Sequence, residues 1–279
     1  MTLTTSRPTA TAPPVAAGHV RRRRLGPGKP IPYGRAIGPL LLIVIWSIAS
    51  ATGALDPRLL SAPWTIFTTT GDLIVSGDLQ QHILASLQRA LLGFLIGGTA
   101  GTALAIIAGT SRIGEALIDG PIQIKRAIPT IGLIPLLILW LGIGETFKVV
   151  IIALAAAVYM YVSVHSGLTG IDHRFVELAE VQNYTRWDFL RHVVFPGALP
   201  GFFVGLRLSL TFSWLILITV EQINALSGIG YMMSQAQMYA QTDVIVVGLV
   251  VYGVFGFASD ALLRLVERRV LSWRRTLTS

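Results

Sequence analysis

Residues 177–200 read ELAEVQNYTRWDFLRHVVFPGALP, a polar and charged stretch between two long apolar segments. It carries Glu177, Glu180, Arg186, Asp188 and Arg191, with the rings of Tyr184, Trp187 and Phe189 among them, and closes on Pro196 and Pro200. A loop that only reverses the chain between two apolar helices needs a few small polar residues. This one has room for two short helices and a turn, so it is expected to dock onto another molecule.

Outward from that stretch the chain turns apolar. Of 279 residues, 53% are hydrophobic and only 13% charged, where a soluble domain carries about 25% charged residues. Mean hydropathy is +0.66. About 20 apolar residues cross the roughly 30 Å hydrocarbon core as a helix. Alternating segments of strand length are absent, so the expected fold is an all-α membrane bundle and not a barrel. Six spans are expected, near residues 37–55, 83–110, 117–141, 147–168, 201–220 and 244–263.

The formal net charge is +8, with Arg21, Arg22, Arg23 and Arg24 before the first span and Arg264, Arg268, Arg269, Arg274 and Arg275 after the last. That distribution predicts positive-inside topology, both termini cytoplasmic, and attraction to anionic lipid; it does not call for nucleic acid. Residues 1–35 are rich in Thr, Pro, Ala and Arg and lack an apolar core. They read as a disordered basic cytoplasmic tail, not a cleaved signal peptide; an Arg-rich, acid-poor tail also suits a transit peptide. The six-span domain is expected over residues 36–273, with the cytoplasmic stretch at about 172–198 inside it and a short tail at 274–279.

Local features add detail. Pro63 suits the first turn of a short amphipathic helix reaching about Val75, because its missing N–H is unneeded there. Gly93, Gly97, Gly101, Ala105 and Gly109 recur every fourth residue, which puts small residues on one helix face for close approach of a neighbour. Pro121, Pro129 and Pro135 are expected to interrupt the third span, since proline removes a backbone donor. Broken backbone at membrane depth is tolerated only against protein or a water-filled cavity.

Chemistry is conspicuous by its absence. There is no cysteine, which excludes disulfides and thiolate catalysis. No nucleotide-binding loop, dinucleotide fingerprint, H-E-x-x-H or G-x-S-x-G motif occurs. His19, His82, His165, His173 and His192 show no ligand spacing. No cofactor, metal or catalytic role is expected, and any uphill transport must draw energy from ion coupling or from a partner.

The opening stretch resembles the "EAA" coupling loop of bacterial ABC importer permeases: an acidic residue, small residues, a turn glycine, then an apolar run ending in proline. Glu177, Leu178 and Ala179 take the E-A-A places, and Val193 to Pro200 match the closing segment. Leu178 departs from the first alanine, and Asn183 stands at the turn glycine. Asn is the residue that best tolerates positive φ after glycine. Arg89–Phe94, Ile134–Leu136, Trp140–Ile143, Ser227–Tyr231 and Gln241–Val247 extend the likeness toward permeases for aliphatic sulfonates, taurine and nitrate. The resemblance implies the six-helix type I (MetI-like) permease fold in a bacterial cytoplasmic membrane. It also implies a homodimer, two ATPase subunits, an external solute-binding protein and a small anionic substrate, with sulfonate first and nitrate, taurine or a thiamine precursor as alternatives. Glu177, Ala179, Glu180, Asn183, Tyr184, Trp187 and Pro196 are the residues it assigns to ATPase coupling.

Ionisable groups inside spans are costly and mark function or pairing. Lys125, Arg126, Arg207, Trp214 and Glu221 are therefore the candidates for the translocation pathway. For Lys125 and Arg126 the alternative is an interfacial position from which they snorkel. For Arg207 and Glu221 it is pairing with another helix, and for Trp214 simple packing. An ion-coupled secondary transporter is the rival of another class; it calls for ionisable groups deep in several spans and inverted repeats, and the sequence has few of the former and no visible repeat.

Overall fold

The computed structural model describes residues 34–272 and contains helices and turns only among them. Most of the expected N-terminal tail and all of the expected C-terminal tail lie outside the described residues, and Gly34 and Arg35, expected in the tail, begin α1. Two compact units divide between Val44 and Ile45, inside α1 (Gly34–Ala51). In the first unit, Leu40 to Val44 present exposed apolar side chains.

The second unit contains every later helix. Leu60 and Ser61 lead into α2 (Pro63–Ser76), with Pro63 in its first turn and Gly77 closing it at φ +85°. Next come α3 (Asp78–Thr110) and α4 (Arg112–Ala127), joined through Ser111, whose side chain accepts from the Gly114 N–H. A 3-10 turn (Thr130–Leu133) leads to α5 (Ile134–Leu141) and then α6 (Glu145–Thr169). The opening stretch folds as α7 (His173–Val181) and α8 (Arg186–Phe189), followed by a π-turn (Leu190–Val194) that runs into α9 (Phe195–Asn224). The chain ends in α10 (Ile229–Met238) and α11 (Thr242–Val270).

Among the described residues, four helical stretches are long and apolar enough to cross a membrane: Asp78–Thr110, Glu145–Thr169, Arg186–Asn224 and Thr242–Val270. The pair Arg112–Ala127 and Thr130–Leu141, bent by 95°, makes a fifth, and the shorter apolar Ile37–Ala51 falls where the first span was expected. The prolines of the third span do different work. The chain breaks at Ile128 and Pro129 alone; Pro121 stays inside α4, and Pro135 falls in the first turn of α5, where no backbone donor is required. Three expected interruptions are thus one.

The small-residue face of α3 packs along α6, and α6 packs in turn along α9. A Cβ added at Gly97 would meet the Ala153 carbonyl, and one at Gly101 the Ala157 carbonyl. Backbone therefore touches backbone where lipid-soluble helices have no hydrophobic force to join them. The main core gathers Phe147, Ile151 and Ile152 of α6 with Leu217 and Val220 of α9 and Ile229 of α10. A smaller cluster of Ala105, Met160, Tyr161 and Val164 lies nearer the α7 end of α6.

Candidate functional site

The segment from α7 to α8 is built by local capping. Asp172 accepts from the Arg174 N–H at 3.0 Å and starts α7. The helix ends where the Tyr184 N–H reaches back to the Ala179 carbonyl at 3.0 Å, with Asn183 at φ +52° between them. The turn does take positive φ, and asparagine carries it. Thr185 and Asp188 then form a reciprocal capping box that opens α8, satisfying two otherwise orphan donors.

Exposure sorts the residues of this segment. Glu177, Glu180, Tyr184 and Trp187 lie at the surface, whereas Ala179 is buried. Leu178, at the place of the missing alanine, is 52% exposed, so its extra bulk meets the surroundings instead of the chain's own packing. Phe175, Leu178 and Val181 form an exposed apolar stripe at i, i+3, i+6 on α7, the pattern by which a helix fits a groove. The spacing is plain in the sequence, but it was not singled out there. Pro196 occupies the first turn of α9. From Arg186 to Asn224 the helix is continuous over 39 residues, about 58 Å at 1.5 Å per residue.

At the other end of α9 lies a buried polar cluster. Glu221 is fully buried. Its carboxylate accepts from Arg89 Nη1 at 2.7 Å, Ser86 Oγ at 2.8 Å, Tyr252 Oη at 2.9 Å and the Gly230 N–H at 3.0 Å. Arg89, 5% exposed, forks onto Glu145 through Nε and Nη2 and donates to the carbonyl and hydroxyl of Ser227. All five guanidinium N–H groups are engaged. Lys148, also buried, donates to Glu145 at 2.8 Å. The cluster ties α3, α6, α9, α11 and the loop before α10 together. A side chain at Gly228 would collide with Glu221 and Arg89, which is why a glycine stands there.

Of this cluster, only Glu221 was among the sequence candidates. Arg89 is an isolated cation in an apolar span, the signal that could have found it. Its partners lie 56, 132 and 138 residues away, so nothing local marked them.

The remaining candidates stand apart. Lys125 and Arg126 occupy the last turn of α4, just before the chain break, where the helix dipole favours cations. Lys125 Nζ donates to Thr130 Oγ1 at 2.7 Å across the break, and Arg126 is exposed. Arg207 pairs with Asp260 of α11 at 3.0 Å. Trp214 stacks on Phe255 with centroids 5.7 Å apart, and its Nε1 has no hydrogen-bond partner among the described residues.

The described residues thus form a helical membrane bundle with an exposed α7–α8 segment at its surface. Comparison with known proteins gives the family: residues 101–272 match the binding-protein-dependent transport system inner membrane component. The chain belongs to that family and is the permease subunit of an ABC importer. It is 41% identical over 235 residues to the "Putative aliphatic sulfonates transport permease protein SsuC" of Escherichia coli (strain K12), covering 84% of this chain and 89% of the relative. The protein of the same name from Bacillus subtilis (strain 168) is 36% identical over 238 residues, covering 85% and 86%. Among solved structures, a chain of the inward-facing MetNI methionine ABC transporter superposes with TM-score 0.50 at 22% identity, covering 71% of this chain and 98% of that one. That likeness concerns the fold alone.

Proposed function

We propose that this permease carries a small organic anion, an aliphatic sulfonate, across a bacterial cytoplasmic membrane as a homodimer. The observation that carries the cargo is the 36% and 41% identity, over most of the chain, to two relatives named for aliphatic sulfonates. Two ATPase subunits dock on α7 and α8, one per copy, and a solute-binding protein docks at the opposite end. Both termini are cytoplasmic, in keeping with the basic residues that flank the first and last helices. The exposed stripe of α7, with Glu177, Tyr184 and Trp187 beside it, supports the docking role; buried apolar and aromatic anchors dominate such interfaces.

Lys125 and Arg126 line the pathway at the chain break, since broken backbone at membrane depth faces protein or water. Arg126, exposed in the last turn of α4, offers a fork to an oxyanion. Arg207 and Glu221 act through their pairs with Asp260 and Arg89, and Trp214 packs.

Uptake of radiolabelled ethanesulfonate into proteoliposomes holding the permease, its ATPase and its binding protein tests this reading. Transport should require ATP and the binding protein, and taurine or nitrate should compete poorly. Arg126→Ala should lower uptake about tenfold or more with the complex intact, as expected for one hydrogen bond to a charged group. Wild-type uptake by that variant would remove Arg126 from the pathway. Glu177→Ala and Tyr184→Ala should lose ATPase on purification, and full recovery of the complex with both would count against α7–α8 as the dock. Uptake by the permease alone, driven by an ion gradient, would favour a secondary transporter.

A further inference from the structure

Partway along α9 and toward the C-terminal end of α11, two cations share one anion. Arg207 Nε donates to Asp260 Oδ1 at 3.0 Å, and Arg264, one turn further along α11, donates to Asp260 Oδ2. Both arginine side chains stay partly exposed, at 42% and 48%. The cluster sits where α11 changes character. Asp260 is the only charge between Val244 and Leu263, and Arg264, Glu267, Arg268 and Arg269 follow within two turns. Such a switch from apolar to basic marks the level of the lipid headgroups.

A groove of about 320 Å³ runs from this cluster between the two helices toward Tyr252. Leu210, Trp214 and Ile218 form one wall and Gly253, Gly256 and Leu263 the other. Among the described residues nothing lies within 4 Å of where a Cβ would stand on Gly253 or Gly256, so the glycines keep a trough open. From Leu263 to Tyr252 it extends about 16 Å, half of the roughly 30 Å hydrocarbon core and hence the depth of one leaflet. Of the four long apolar helices, α11 is the least covered, with 17% of its apolar window buried. The groove therefore opens along the least covered of these helices, with its inner side resting on Leu210, Trp214 and Tyr252 of the main core.

We propose that the groove holds one acidic phospholipid of the surrounding leaflet. Its phosphate rests on Arg207 and Arg264, and one acyl chain lies in the glycine trough. Charge complementarity selects this occupant: two guanidiniums and one carboxylate leave one positive charge, which a monoanionic headgroup neutralises. Basic pockets between membrane helices take anionic headgroups in this way, and the arginine fork suits phosphate oxygens. An alkanesulfonate has a similar head and a shorter tail, so the test must tell the two apart.

The full-length protein, purified in neutral detergent, is titrated with phosphatidylglycerol, phosphatidylcholine and octanesulfonate, with retention read by native mass spectrometry. Phosphatidylglycerol should bind at least about tenfold more tightly than phosphatidylcholine, and Arg264→Gln should weaken it about fivefold, the effect of one basic residue near the surface. Asp260→Asn should tighten it, because both cations are released. Gly256→Leu should abolish retention by filling the trough. The opposite signs of Arg264→Gln and Asp260→Asn cannot come from misfolding, so they decide the matter even if the leucine variant is unstable. Equal retention of the two phospholipids, or a shift of the same sign in both charge variants, overturns the proposal. Arg264-dependent binding of octanesulfonate without phosphatidylglycerol binding also overturns it, and makes the groove a substrate site. None of these readouts involves the ATPase or uptake, so they stand or fall separately from the transport reading.

Discussion

Arg89 has its five donors divided among Glu145, Glu221 and Ser227, and that division predicts an order of damage. Arg89→Met strands the fully buried Glu221 carboxylate, and breaking a buried ion pair in this way costs about 3–5 kcal/mol. Glu221→Gln is milder, because Arg89 keeps its fork on Glu145, whose side chain is 61% exposed and stays hydrated. The double variant should recover part of the loss of Arg89→Met, since no unpaired charge is left inside. Thermal unfolding in neutral detergent reads all three. A double variant less stable than Arg89→Met would show that the cluster is not held by charge pairing. Single residues were legible to different degrees. Asn183 was readable because positive φ restricts residue choice through the residue's own backbone. Arg89 was not, because a guanidinium's partners are set by three-dimensional closure and its sequence neighbours carry no trace of them.

Between elements, the face of α3 supplies an internal control. Gly97 and Gly98 are adjacent and both buried. Added at Gly97, a Cβ runs into the Ala153 carbonyl and the Ala156 side chain; at Gly98 it meets nothing within 4 Å. Gly97→Ala must push α6 away and lower the unfolding temperature. Gly98→Ala should be neutral or stabilising by up to about 1 kcal/mol, the helix propensity gained over glycine. Equal effects of the two in a melting experiment would mean that α3 and α6 are not held by close backbone approach. This face was legible in the sequence because a four-residue period of small residues has one physical use in a membrane. The proline breaks were legible only in part. Pro129 and Pro121 are the same residue type, yet only Pro129 ends a helix. Whether neighbours satisfy the carbonyl that a proline leaves free is a property of packing, which the sequence does not display.

At the scale of the whole molecule, the exposed α8 and the buried cluster are two ends of one element. Arg186 begins and Asn224 ends a single helical path, with Trp187 exposed near its start and Glu221 locked near its finish. On the docking proposed above, a displacement of α8 by a bound ATPase would travel along α9 to the Arg89 cluster through the π-turn at Leu190–Val194. π-turns inside helices recur at functional sites, and here the turn is the joint between the dock and the span. Arg191 and His192 lie on its exposed side, so replacing both by glycine removes no core packing. Each glycine costs a helix about 1 kcal/mol, and the pair roughly 2 kcal/mol, which shifts a local bending equilibrium by more than tenfold. The Arg191→Gly/His192→Gly permease should still retain its ATPase on purification and still support hydrolysis, because every residue of α7 and α8 is kept and only the His192 contacts with Asp188 and Tyr184 are given up. Uptake per ATP should fall several-fold as the dock moves without moving α9. Wild-type coupling in that variant would mean that force enters the bundle elsewhere, through α7 and its contacts with the end of α9 instead of through the continuous helix.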